Sequence, residues 1–120
     1  MKRDWDVIRN LLIDVEALTH SDSYNLDSNG LDDPHEIIKL EMADLLLAKG
    51  FFTGGRDVYL DGELALFNLK LTWDGHELLD TLRDENVWNR IKQISKEKGV
   101  DITFESIKVM LGLALTNLLT

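Results

Sequence analysis

Val58-Tyr59-Leu60-Asp61-Gly62-Glu63-Leu64-Ala65-Leu66-Phe67-Asn68-Leu69-Lys70-Leu71 is the stretch that separates this chain from an all-helical bundle. Asp61-Gly62 is a strong two-residue turn signal, because glycine reaches the left-handed backbone conformation without steric cost. Val58 to Leu60 and Glu63 to Leu71 flank it with the residue types and alternation of strands. The spacing predicts a hairpin over 58–71. Ala65, Phe67, Leu69 and Leu71 are expected on one face, and Leu66, Asn68 and Lys70 on the other. Just before it, Thr53-Gly54-Gly55 reads as a breaker. Just after it, Thr72 can cap a helix that starts at Trp73.

Helical patterns surround the hairpin. Trp5, Ile8, Leu12 and Val15 recur at spacings of three and four, which predicts a helix from about Asp4 to Leu18 with Asp4 as its cap. Residues 19–34 are a long polar connection rich in Asn, Asp, Ser and Gly. A second helix is predicted from Pro34 through Ile38, Met42, Leu45 and Leu46 to a stop at Gly50. Beyond the hairpin, Leu78, Leu79 and Leu82 form an apolar side. Arg83-Asp84-Glu85-Asn86 bends or restarts that helix, and Val87, Trp88, Ile91 and Ile94 carry the stripe on to Gly99. Thr103 caps a last helix whose apolar positions, from Phe104 to Leu118, exceed a narrow stripe. Such a helix is central to the core or part of a dimer contact.

Helix, long loop, helix, hairpin and two helices is the order of a winged-helix domain with a helical extension. The expected class is α+β. One domain is expected over 1–120, with a winged-helix-like part at 1–72 and a helical extension at 73–120. A winged helix needs one more element before its reading helix. Residues 19–34 must supply that helix, or a short strand around Ser23–Leu26.

Composition narrows the chemistry. The 120 residues contain no cysteine, which excludes disulfides, cysteine-ligated metals and thiol nucleophiles and fits a reducing cytosol. No signal core or bilayer-length apolar run is visible, so a cytoplasmic protein is expected. The net charge is −9. Only residues 83–99 are net positive, with Arg83, Arg90, Lys92, Lys96 and Lys98 against three acids.

Three stretches carry a family likeness: Met1 to Arg9, Leu45 to Phe52, and Leu71-Thr72-Trp73-Asp74-Gly75-His76-Glu77-Leu78-Leu79-Asp80 with Arg83-Asp84-Glu85-Asn86-Val87-Trp88. Together they resemble the domain-of-unknown-function family 2513, small proteins of bacteria and their phages. The resemblance extends to about Phe104 and leaves the polar loop unmatched. It implies a winged-helix module of phage or prophage origin and brings no catalytic residues with it. Where the family's usual second helix holds a Tyr-His pair, Lys39-Leu40-Glu41-Met42 stands here.

In a winged helix the second helix reads DNA. Here its outward positions are Glu36, Lys39, Glu41 and Asp44, and the hairpin adds Arg56 and Lys70 against Asp57, Asp61 and Glu63. Phosphate would repel these acids. The basic residues that could form an alternative nucleic-acid surface are Lys39, Arg56, Lys70, Arg83, Arg90, Lys92 and Lys96. The preferred reading of the stretch at 83–98 is a solvated helix face whose last-turn lysines suit the helix dipole. Asn25, Asp27, Asn29, Gly30 and Glu36 fall at positions 1, 3, 5, 6 and 12 of a calcium loop. Position 1 departs from Asp and position 8 is Asp32, so no metal is expected. His20, His35 and His76 lack zinc spacing. His76 and Asp80 read as a surface i,i+4 pair, or His76 as packing beside Trp73. Trp5, Trp73 and Trp88 are expected in the core, and exposure of Trp5 or Trp73 would mark a partner site.

No phosphate loop, catalytic triad or cofactor motif is present, and an enzyme is not expected. The expected function is binding to a host nucleic-acid-binding protein, as an acidic, DNA-mimicking inhibitor of an anti-CRISPR kind. The residues expected to carry it are Asp27, Asp32, Asp33, Glu36, Glu41, Asp44, Asp61 and Glu63. The alternative is a DNA-binding regulator dimerised through the last helix. A virion assembly role is a third reading.

Overall fold

A computed structural model of the chain describes residues 3–19, 21–28 and 32–119, with side chains as far as residue 116. The elements in chain order are α1 (Trp5–Glu16), β1 (Leu26–Asp27), α2 (Pro34–Ala48), β2 (Phe52–Val58), β3 (Leu64–Leu71), α3 (Trp73–Leu82), α4 (Glu85–Lys98) and α5 (Phe104–Leu119). The strands form one antiparallel sheet in the order β1-β3-β2. The class is α+β. The additional element in the polar stretch is the short strand β1.

Contacts divide the chain into Met1–Glu77 and Leu78–Thr120. The division falls inside α3, whereas the sequence reading puts it before that helix. In the first unit α1 packs on α2 and β3, and α2 packs on β2. Its core is Val7, Ile8, Leu11, Leu12 and Val15 of α1, Leu40, Met42, Ala43 and Leu46 of α2, and Phe52, Leu66 and Leu69 of the sheet. Each large side chain among them contributes about 1.5–3 kcal/mol by leaving water. On α2 the buried stripe includes Leu40 and Ala43, while Ile38 and Leu45 are only half-buried. In the second unit α4 packs on α5. Leu78, Leu79, Leu82, Val87, Trp88, Ile91, Ile94, Ile107, Met110 and Ala114 are buried there.

Side-chain oxygens satisfy the helix starts. Asp4 accepts from the Val7 amide at 3.1 Å, Asp33 from His35 at 2.9 Å and Asp84 from Val87 at 3.0 Å. Thr103 and Ser106 exchange reciprocal bonds at the head of α5. At the head of α3 the Thr72 hydroxyl accepts from the Gly75 amide and donates to the Gly50 carbonyl, joining the cap to the end of α2. Thr72→Ala is expected to cost about 1 kcal/mol, in the usual range for a lost cap. A urea melt with an unchanged slope and a lower midpoint checks it.

The hairpin departs from its predicted form in three ways. Its loop is Leu60-Asp61-Gly62, closed by a bond from the Tyr59 amide to the Glu63 carbonyl at 2.8 Å and another from the Gly62 amide to Tyr59 at 2.9 Å. Gly62 has φ +86°, the left-handed residue that a three-residue hairpin loop requires. Second, Thr53-Gly54-Gly55 does not break the chain but lies within β2. The glycines are needed there because a Cβ on Gly55 would enter the Phe67 ring. Third, β3 carries a bulge. Asn68 has φ +54°, and the pairing shifts between Thr53 and Gly55. The extra residue resets the alternation, so Leu66 and Leu69 are buried while Phe67 is exposed. The polar loop holds this bulge in place. Asn25 accepts from the Asn68 amide at 3.0 Å, and the Ser23 hydroxyl donates to the Asn68 side chain at 2.8 Å.

Candidate functional site

Helix α2 and the hairpin bring most of the expected acidic residues into one unit, but not onto one surface. Glu41 and Asp44 line a groove of about 400 Å³ with Ile37, Leu40, Leu45, Ser28, Gly62 and Leu64. Asp33 is engaged as the helix cap. Asp61 folds back on the hairpin loop, accepting from the Glu63 amide at 3.0 Å. The register pairs Asp27 with Ala65 and Asp57 with the same residue from the other side. Arg56, Leu66 and Leu26 occupy the adjacent rung, and alternation sends them to the opposite face of the sheet. Asp57 thus joins Asp27. Its part went unread because cross-strand pairing is not visible in a single strand's sequence. Asp32 is exposed and Glu36 half-buried near the head of α2.

The electrostatics show where acids crowd one another. Partial burial, then Asp61 and Asp27, push the Glu63 carboxyl above its ordinary value. The folded protein therefore holds this proton more tightly than the unfolded chain. The stability it contributes grows as pH falls through the carboxylate range and is absent at neutral pH. Glu63→Gln is expected to be more stable than the parent at pH 7 and equal to it below the carboxylate range. Chemical denaturation at both pH values checks the sign.

The basic residues expected to hold nucleic acid are largely engaged with protein groups. Arg56 binds Asp44 through two nitrogens, at 2.7 and 3.3 Å, and Asp44 raises its pKa. Lys39 lies 5.6 Å from the Tyr24 ring centroid and has its pKa raised chiefly by that side chain. In the second unit Arg83 binds Asp80 at 3.1 Å, Arg90 approaches Glu97 at 3.8 Å and Lys92 lies over the Trp88 ring at 5.5 Å. Lys70 and Lys96 are exposed.

The aromatic and histidine expectations change in part. Trp88 is buried, Trp5 is half-buried, and Trp73 is 78% exposed with its indole bonded to Glu77 at 2.7 Å. Trp73 opens its helix at the first turn, where its face is turned outward. His76 does not pair with Asp80. It stands 3.8 Å from Glu16, while Asp80 takes Arg83. Glu16 and His76 line a second, mixed cavity of about 530 Å³ with Asp22, Lys70 and Leu69. Asn29, Gly30 and His20 lie outside the described residues. Asn25 of the calcium-like loop is committed to the bulge. Among the described residues no cluster of three or more His, Cys, Asp or Glu could hold a metal, and no helix is long and apolar enough to cross a membrane.

Residues 2–101 match the family described as Hypothetical protein (DUF2513). The chain belongs to this family. A relative in Haemophilus influenzae, named "Uncharacterized protein", is 32% identical over 108 residues, 90% of each chain. No solved structure matches the chain. The match to DUF2513 spans both the α2–hairpin unit and α4, and ends before α5.

Proposed function

We propose that this chain is a non-enzymatic, winged-helix-like protein-binding module. In this reading its acidic surface occupies the basic nucleic-acid channel of a host defence complex, as an anti-CRISPR-like inhibitor of phage or prophage origin would. The observation that carries the reading is the Arg56–Asp44 pair. It ties the hairpin's arginine to the helix that would read DNA, and leaves Glu36 and Glu41 as further acids of that helix. Approach to phosphate is then opposed, and approach to a cationic protein channel is favoured.

The test compares the parent with Glu36→Lys/Glu41→Lys/Asp61→Lys. The parent is expected to leave short duplex DNA unshifted at low salt and to block DNA binding by an RNA-guided nuclease complex. The charge-reversed variant is expected to lose that block. Tight duplex binding by the parent, or equal inhibition by both proteins, overturns the reading.

A second reading, a dimeric DNA-binding regulator, draws support from α5. Phe104, Val109, Leu113 and Leu115 are exposed there, at 38%, 66%, 41% and 42%. Sedimentation distinguishes it, since a monomer at micromolar concentration removes the dimer on which it depends.

A further inference from the structure

The face of the sheet opposite Arg56 is built from three successive rungs. Tyr59 and Glu63 form the first, joined by the amide-to-carbonyl bond at 2.8 Å. Asp57, Ala65 and Asp27 form the second, and Gly55 and Phe67 the third. Because alternate residues of a strand share a side, these rungs present carboxylates and aromatic rings together. Tyr59 is 48% and Phe67 38% exposed, although such rings are ordinarily covered. The missing side chain at Gly55 gives the Phe67 ring its bed, which fixes that ring against the strand. Asp27, Asp57 and Glu63 put three carboxylates on this face by register. The field over this face is therefore negative, and Lys70 stands one rung past the bulge.

We propose that this open sheet face docks an arginine-bearing segment of a protein partner, with guanidinium groups lying on Tyr59 and Phe67 and pairing with Asp57, Asp27 and Glu63. The proposal deepens the protein-binding reading and rests on it. Guanidinium fits where ammonium does not. It is planar, stacks on aromatic faces, forms paired bonds to a carboxylate and is weakly hydrated. A second copy of the chain would bring like-charged faces together and is disfavoured at net charge −9. Nucleic acid meets the same repulsion. The surface therefore selects a cationic segment in which arginine predominates over lysine.

The test uses the full chain with fluorescein-labelled nona-arginine and nona-lysine at physiological salt. Nona-arginine is expected to bind about tenfold more tightly than nona-lysine, the order expected of guanidinium stacking added to charge pairing. Amide shift changes are expected at 57, 59, 63, 65 and 67. Asp57→Asn/Glu63→Gln is expected to weaken nona-arginine about tenfold while melting no lower than the parent, and Tyr59→Ser to reduce the preference for arginine with a parental melting curve. Tyr59 is exposed beside the hairpin loop, so its variant keeps the test valid even where a strand substitution unfolds the sheet. Equal affinity for the two peptides, shift changes confined to α2 or the second unit, or unchanged binding by the double variant overturns the proposal. These substitutions avoid Glu36, Glu41 and Asp61. If the peptide preference fails while the nuclease remains blocked, this face is wrong and the inhibitor reading stands. If the preference holds and the nuclease is unaffected, the inhibitor reading falls and this face stands.

Discussion

Trp88→Ala is expected to cost about 3–5 kcal/mol, the range for removing a buried indole. Trp88 is 1% exposed and lies on α4 among Val87, Ile91 and Ile94. Truncation leaves a void in the core of the smaller unit. Against a total stability of about 5–15 kcal/mol, that loss is a large fraction of what holds a domain folded. A fall in Tm of roughly 10–25 °C should follow. Trp73→Ala is the control. Its ring is 78% exposed, and its indole donates along its own helix to Glu77. Its cost should stay within about 0.5 kcal/mol. Thermal melts followed by circular dichroism give both values, and similar losses at the two tryptophans would contradict the assignment of one to the core and the other to the surface.

Gly75→Ala is expected to destabilise by about 1–3 kcal/mol, the cost of overpacking a filled site. The sign is the informative part. In an open helix the same substitution stabilises by roughly 1 kcal/mol. Gly75 lies in the first turn of α3 and is buried against the backbone carbonyl of Phe51, into which a Cβ would project. That carbonyl already accepts from the Thr72 amide at 3.1 Å, and backbone cannot swing aside as a side chain can. Gly112 in α5 offers the comparison, since a Cβ there meets nothing within 4 Å. Gly112→Ala should stabilise by about 0.5–1 kcal/mol. Urea titrations of the two variants should therefore move in opposite directions. A shared direction would refute the close approach of α3 to the residue before β2.

Much of the fold is legible along the sequence because it depends on local rules. Asp4, Thr72 and Thr103 announce their helices through caps that need only the next few residues. Gly99, with φ +64°, ends α4 for the same reason. What failed depends on partners distant in sequence. Gly54-Gly55 looks like punctuation until Phe67 lies over it, and Phe67 looks inward-facing until the left-handed Asn68 shifts the strand. The eight acids look like one surface because charge can be counted along a chain. Register places Asp27 on the sheet face shared with Asp57, whereas Glu41 and Asp44 of α2 line the groove. Trp73 carries the same lesson. Its apolarity predicted burial, but the buried side of α3 carries Gly75, Leu78, Leu79 and Leu82 instead.

The residues from Ser23 to Ser28 do more than connect two helices. Tyr24 accepts from the Leu69 amide at 3.2 Å, Asn25 from the Asn68 amide at 3.0 Å, and Ser28 exchanges bonds with Leu64 at 2.9 and 2.8 Å. Together with β1 they seal the outer rim of β3, where exposed amides would otherwise template strand addition by a neighbouring molecule. The opposite rim belongs to β2, whose pairing is interrupted at Gly54 and whose far end carries adjacent opposite charges at Arg56 and Asp57. A sheet guarded this way on both sides resists growth into fibrils even while its open face remains available.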